Sequence, residues 1–150
     1  MNTKSQLPPL DREKILDRLS DIEIAINELN RFTAISCVEF QKSKDNYAIA
    51  AYWLRLAIEA ILTVGTHILS RLPSNGKKKD YTKIIFSLGD YNVIPKEFAQ
   101  KIKGMAGYRN RLVHLYWQVI PEELLGIIKE NLGDFMDFND HIKNYLLGIK

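Results

Sequence analysis

The run DNYAIAAYWLRLAIEAILTVGTHILSR, Asp45 to Arg71, decides the fold class. Wound as a helix of about 3.6 residues per turn, it places apolar side chains almost all round. Ala48, Ile49, Ala50, Trp53, Leu54, Ala57, Ile58, Ile61, Leu62, Val64, Ile68 and Leu69 leave little polar face. Such a helix must be covered on every side, which puts it in the middle of a bundle. Arg55, Glu59 and His67 interrupt it, so it reads as a buried helix and not as a membrane span. Asp45 is expected to cap its start, and Pro73-Ser74-Asn75-Gly76 ends it. Glu59 has Arg55 one turn before it, which predicts an intrahelical pair. The alternative is that Glu59 holds an Arg or His across the bundle.

Working outward, amphipathic helices surround this centre. On the N-terminal side, residues 1–9 read as a flexible lead-in, and Asp11 opens a helix. Ile15, Leu19, Ile22, Ile26 and Leu29 form an apolar stripe there, with charges on the other face. Ser36 and Glu39 have capping-box spacing and predict a short helix or turn. On the C-terminal side comes the basic loop Lys77-Lys78-Lys79. Asp80 then caps a short helix carrying Ile84, Ile85 and Leu88, which Gly89-Asp90 breaks. Pro95 suits the first turn of a fourth helix reaching the region 112–117. Pro121-Glu122-Glu123 starts a fifth, striped by Ile128, Leu132, Phe135, Phe138, Ile142, Tyr145 and Ile149. No strand alternation, repeat or second domain interrupts the pattern. The expectation is an all-α, up-down bundle of about five helices, forming a single domain over 10–150.

Composition narrows the function classes. With 150 residues, 46% hydrophobic and 26% charged, the chain is too apolar to be disordered and long enough for one sizeable core. Cys37 stands alone, which excludes a disulfide framework and reads as a small semi-buried hydrophobe. Met1–Leu10 has no apolar signal-peptide core, so the expected setting is cytoplasmic. No Cys or His spacing calls for a metal, and no cofactor is expected. The net charge of +3 is unevenly spread. Residues 1–73 are neutral, 74–118 carry nine basic against three acidic side chains (+6), and 119–150 carry −3. The basic excess marks where an anionic ligand is expected.

That basic segment contains YRNRLVHLYW, Tyr108 to Trp117. Two Arg, an Asn, a His and a Tyr within a few residues can cleave RNA without a metal. An Arg fork clamps phosphate, and a His moves a proton near neutral pH. The 2′-oxygen then attacks the neighbouring phosphate while a cation stabilises the crowded charge. On an unbroken helix Arg109 and His114 lie about 140° apart, whereas Asn110 shares a face with His114 and Arg109 with Tyr116. The pattern therefore requires the helix to end or bulge near His114, the Arg to reach round it, or a second subunit to complete the site. His67 reads as a satisfied bundle histidine and His141 as a surface one. Arg111 is open between a phosphate contact and a structural ion pair, and Tyr116 between a packed aromatic and a functional group.

Arg109, four residues, His114, one residue, Tyr116 resembles the motif of HepT toxins in the HEPN ribonuclease superfamily. Asn110 matches the polar residue that follows the Arg in that family. Asp45 with Leu56-Ala57-Ile58-Glu59-Ala60 and His67-Ile68 resembles the family's second helix. Val93-Ile94-Pro95 and Met105-Ala106-Gly107 also follow its pattern, so the likeness covers roughly 10–148. The resemblance implies an all-α homodimer whose motifs face one another across a cleft. It implies Arg109 and His114 as the catalytic pair for RNA, supported by Asn110, Arg111 and Glu59. Lys77, Lys78, Lys79 and Arg111 would guide RNA. Tyr116 would accept AMP from an MntA-like minimal nucleotidyltransferase, the antitoxin. Two other functions fit the same bundle: a catalytically weak partner of a nucleotidyltransferase, and a nucleotide-binding bundle.

Overall fold

The structure, a computed structural model, describes residues 9–73 and 80–149. Among these the chain forms α1 (Arg12–Leu29), α2 (Cys37–Gln41), α3 (Lys44–Leu69), α4 (Tyr81–Asp90), α5 (Lys96–Ile102), α6 (Gly104–His114) and α7 (Pro121–Leu147). Two 3-10 turns, Asn30–Phe32 and Tyr116–Gln118, join them. There is no strand among the described residues. The all-α expectation holds, with two refinements. The short helix at Ser36 forms, and the expected fourth helix is interrupted at Lys103 into α5 and α6. The 1–9 lead-in, Pro9 apart, and the Lys77–Lys79 loop lie outside the described residues.

The helix starts follow side-chain chemistry. Asp11 accepts a hydrogen bond from the Lys14 N–H at 3.0 Å, Ser36 from Glu39 at 3.1 Å, and Asp80 from Lys83 at 2.9 Å. Each satisfies a backbone donor that the first turn leaves without a partner. At α3 the cap is Ser43, whose hydroxyl accepts from the Asp45 N–H. Asp45 is not the cap. It sits inside the first turn, where its charge favours the helix dipole.

Helix α3 is the central post, packed by α1, α2, α4, α6 and α7. By length and composition alone it could cross a membrane, but half of that stretch is buried inside the protein. Ala50, Leu54, Ala57, Ile58, Ile61, Val64 and Ile68 are at most 1% exposed. The stripes of α1 (Ile15, Leu19, Ile22, Leu29) and α7 (Ile128, Phe135, Phe138, Ile142) meet the same core. A fully buried Leu or Ile contributes about 1.5–3 kcal/mol, so this core supplies most of the driving force. Gly65 allows α4 to approach closely, since a Cβ there would lie 2.9 Å from Ile84 Cγ2. Two polar ties fix the ends. Arg12 donates to the carbonyls of Leu146 and Ile149 at the C-terminus of α7, and Tyr47 donates to the Val119 carbonyl.

Candidate functional site

Helix α6 carries the motif and packs against α3. Arg109 leaves α6 toward α3 and lies mostly under the surface, with 17% of its side chain exposed. Its Nη2 donates to Glu59 Oε2 at 3.1 Å, and its Nη1 donates to Asn110 Oδ1 at 3.1 Å. The guanidinium also sits over the Tyr81 ring, 5.0 Å from its centroid. Its Nε–H is buried with no hydrogen-bond partner among the described residues. Glu59 is half-buried and bridges two cations, because Oε1 accepts from Arg55 Nη1 at 2.6 Å. Both alternatives read for Glu59 are therefore realised at once. The carboxylate pairs within its helix and holds Arg109 across the bundle.

His114 is the last residue of α6 and is exposed. The chain leaves helical geometry at Leu115, whose φ is −134°, while its N–H still bonds to the Arg111 carbonyl. Arg109 and His114 both lie inside α6, so this end comes too late to bring them onto one face, and their divergence stands. Tyr116 falls beyond that end, in the 3-10 turn, so the shared face expected with Arg109 on an unbroken helix does not apply. The His114 side chain has no hydrogen bond or ion pair among the described residues.

Arg111 points the other way. Its guanidinium pairs with both carboxylate oxygens of Glu123 on α7 and with the Gln118 carbonyl. The Glu123 hydrogen bond holds Arg111 more firmly protonated than a free Arg. Its expected phosphate contact thus competes with a fork already formed, and the ion-pair alternative describes it. Tyr108 lies beneath it, with the Arg111 guanidinium 5.6 Å from the ring centroid. The Tyr108 hydroxyl is buried without a partner among the described residues. Burial, aided by Glu123, pushes its pKa up strongly.

The remaining histidines behave differently from one another. His67 is 8% exposed and accepts the Asp11 N–H through Nε2 at 3.1 Å, as a satisfied bundle histidine. His141 is not a surface residue but half-buried, its ring 4.7 Å from that of Phe98. Cys37 is half-buried, as expected. Sequence reasoning missed Tyr81, which forms one wall of the Arg109 pocket. A lone aromatic at the start of a short helix carries no signal that it will lie under a guanidinium.

Comparisons with known proteins agree with this architecture. The family model described as "Ribonuclease HepT-like" matches residues 22–142. The tRNA nuclease HepT of Aphanizomenon flos-aquae is 30% identical over 133 residues, covering 89% of this chain and 90% of that protein. Among solved structures, the cytosolic protein of unknown function YutE from Bacillus subtilis superposes with a TM-score of 0.74 at 26% identity, covering 91% of each chain. The tri-AMPylated HEPN toxin of Shewanella oneidensis, solved in complex with an MNT antitoxin, superposes with a TM-score of 0.76 at 20% identity. That likeness covers 89% of this chain and 99% of the toxin, and it speaks for the fold alone.

Proposed function

Because this chain belongs to the HepT-like ribonuclease family, we propose that it is an endoribonuclease toxin cleaving RNA with Arg109 and His114. The observation that carries the reading is the contrast between the two residues. Arg109 is anchored by Glu59 as a preorganised cation, and His114 stands exposed where α6 stops, able to meet a ribose. In this reading His114 takes the proton from the 2′-OH. The 2′-oxygen attacks the adjacent phosphorus, the bond to the 5′-oxygen breaks, and a 2′,3′-cyclic phosphate remains. The leaving 5′-oxygen takes up a proton. Arg109 stabilises the extra charge on the phosphate, and Asn110, already bonded to it, orients the guanidinium. Arg111 acts by bracing α6 to α7. Because a relative is a tRNA nuclease, tRNA is the first substrate to try.

Arg109 and His114 diverge within one chain, which favours a homodimer in which two motifs share a cleft. Neutralisation by an MntA-like nucleotidyltransferase that adenylylates Tyr116 completes the proposal. AMP beside the site would add bulk and a negative phosphate where RNA phosphate binds. Support comes from the antitoxin complex solved for the Shewanella toxin. In EDTA, purified protein is expected to cleave labelled tRNA, with Arg109→Ala and His114→Ala each at least a hundredfold slower. Equal rates in all three would sink the residue assignment. Intact mass after incubation with ATP and the antitoxin is expected to rise by AMP units, and Tyr116→Phe to abolish the gain.

One observation favours a second reading, a catalytically weak partner of a nucleotidyltransferase. Both terminal nitrogens of Arg109 are already hydrogen-bonded, to Glu59 and Asn110. A chain that binds the antitoxin tightly yet leaves every RNA intact would establish that reading.

A further inference from the structure

Helix α3 is apolar almost all round, yet Glu59, Thr63, Thr66 and Ser70 recur at spacings of 4, 3 and 4. They form one polar face, and Thr63, Thr66 and Ser70 are exposed on it. This face floors a cleft of about 480 Å³ walled by Lys14 of α1, Arg71 just past α3, Tyr81 of α4 and Arg109 of α6. Three cations thus surround one carboxylate, Glu59, which is already shared between Arg55 and Arg109. Lys14 has no carboxylate partner among the described residues. Among the described residues the Arg71 guanidinium donates to the Pro9 and His67 carbonyls and the Ser70 hydroxyl, and to no carboxylate. Asp11 also lies close, but its carboxylate accepts the Lys14 N–H as the cap of α1. The buried His67 reports the same field. Burial, Arg71 and Lys14 together lower its pKa, against a smaller opposing effect of Asp11.

The direction of the cleft gives it meaning. Arg109 meets α3 at Glu59, and the chain just past α6 meets α3 at Tyr47. So α6 and α3 run in opposite directions, and the cleft extends from Arg109 away from His114. Its floor, Glu59 to Ser70, is about 16 Å long at 1.5 Å per residue. We propose that this cleft is a phosphate subsite for the RNA strand beyond the scissile bond, lined by Lys14, Thr66, Ser70 and Arg71. The inference rests on the ribonuclease reading and deepens it. Lys14 and Arg71 neutralise the next phosphate, and Arg109 stands at the junction. Thr66 and Ser70, whose hydroxyls donate to the Leu62 and His67 carbonyls, form an uncharged floor that lets the phosphate approach.

The test is binding, read separately from cleavage. In the His114→Ala background, affinity for a fluorescein-labelled single-stranded RNA is measured by anisotropy over a salt series. Lys14→Gln is expected to weaken binding about tenfold and to flatten the salt slope by about 0.7, one phosphate contact on a single strand. Thr66→Glu is expected to weaken binding more. Lys42→Gln makes the same charge change at the opposite end of α3 and is expected to leave affinity within twofold. The subsite is overturned if the Lys14 and Thr66 variants bind like their parent, or if Lys42→Gln weakens binding as much as Lys14→Gln. RNA cleavage by the unmutated chain alongside either result would leave the ribonuclease reading intact. Neither binding nor cleavage by the unmutated chain would overturn both.

Discussion

Glu59 shows how one half-buried carboxylate organises this site. It sits between Arg55 and Arg109, so removing its charge leaves two half-buried guanidinium groups facing each other across an amide. Glu59→Gln is expected to split the kinetic constants. KM for RNA falls or holds, because a negative charge leaves the cleft, while kcat falls about tenfold because Arg109 loses its fixed orientation. A rise in both kcat and affinity would instead make Glu59 an inhibitory clamp. Arg111 makes the complementary point. Its sequence neighbourhood could not choose between phosphate and ion pair, because Glu123 lies twelve residues away on another helix and meets it only after folding. The Arg55–Glu59 pair was legible because both members stand one turn apart on one helix.

At the scale of elements, α3 does two jobs with one sequence. Its apolar faces form the core, and Glu59 and His67, two of the three residues that interrupt its apolar run, line the cleft beside Arg109. His67 links the two, being buried on α3 and bonded to the start of α1. Its folded-state pKa lies below the ordinary value of 6.5, so folding favours the neutral ring. The unfolded chain then binds more protons than the folded one as pH falls below about 6.5. Stability from this group is present above that pH and is lost on acidification. Melting temperature is expected to drop between pH 7 and 5, and His67→Gln, which keeps an acceptor for the Asp11 N–H, to flatten the decline. An unchanged pH profile in His67→Gln would remove His67 as the cause. The end of α6 at His114 is a second element-level result. The starts of α1 to α4 announce themselves by Asp or Ser, but no glycine or proline marks this stop.

For the whole molecule, the proposed mechanism turns on how Arg109 and His114 would meet RNA together. If each site takes Arg109 from one chain and His114 from its partner, two inactive variants can complement. A co-expressed mixture of Arg109→Ala and His114→Ala is expected to recover about a quarter of wild-type cleavage. Half of random dimers are mixed, and each has one intact site of two. No recovery would mean that each chain supplies both groups.

The sequence by itself determined the helical class, the order of the main helices, most of their caps and the core stripes. It also singled out the segment 108–117 and the family it resembles. All of these depend on neighbours within a few residues, where periodicity, capping and motif spacing act. Tertiary structure alone decided that Glu59 holds Arg109, that Arg111 is bound to Glu123, and that Tyr81 lies under the guanidinium. It alone gathered Lys14, Thr66 and Arg71 around one cleft. Those contacts join residues distant in the chain, and the burial that brings them together is a property of the packed bundle, not of any one helix.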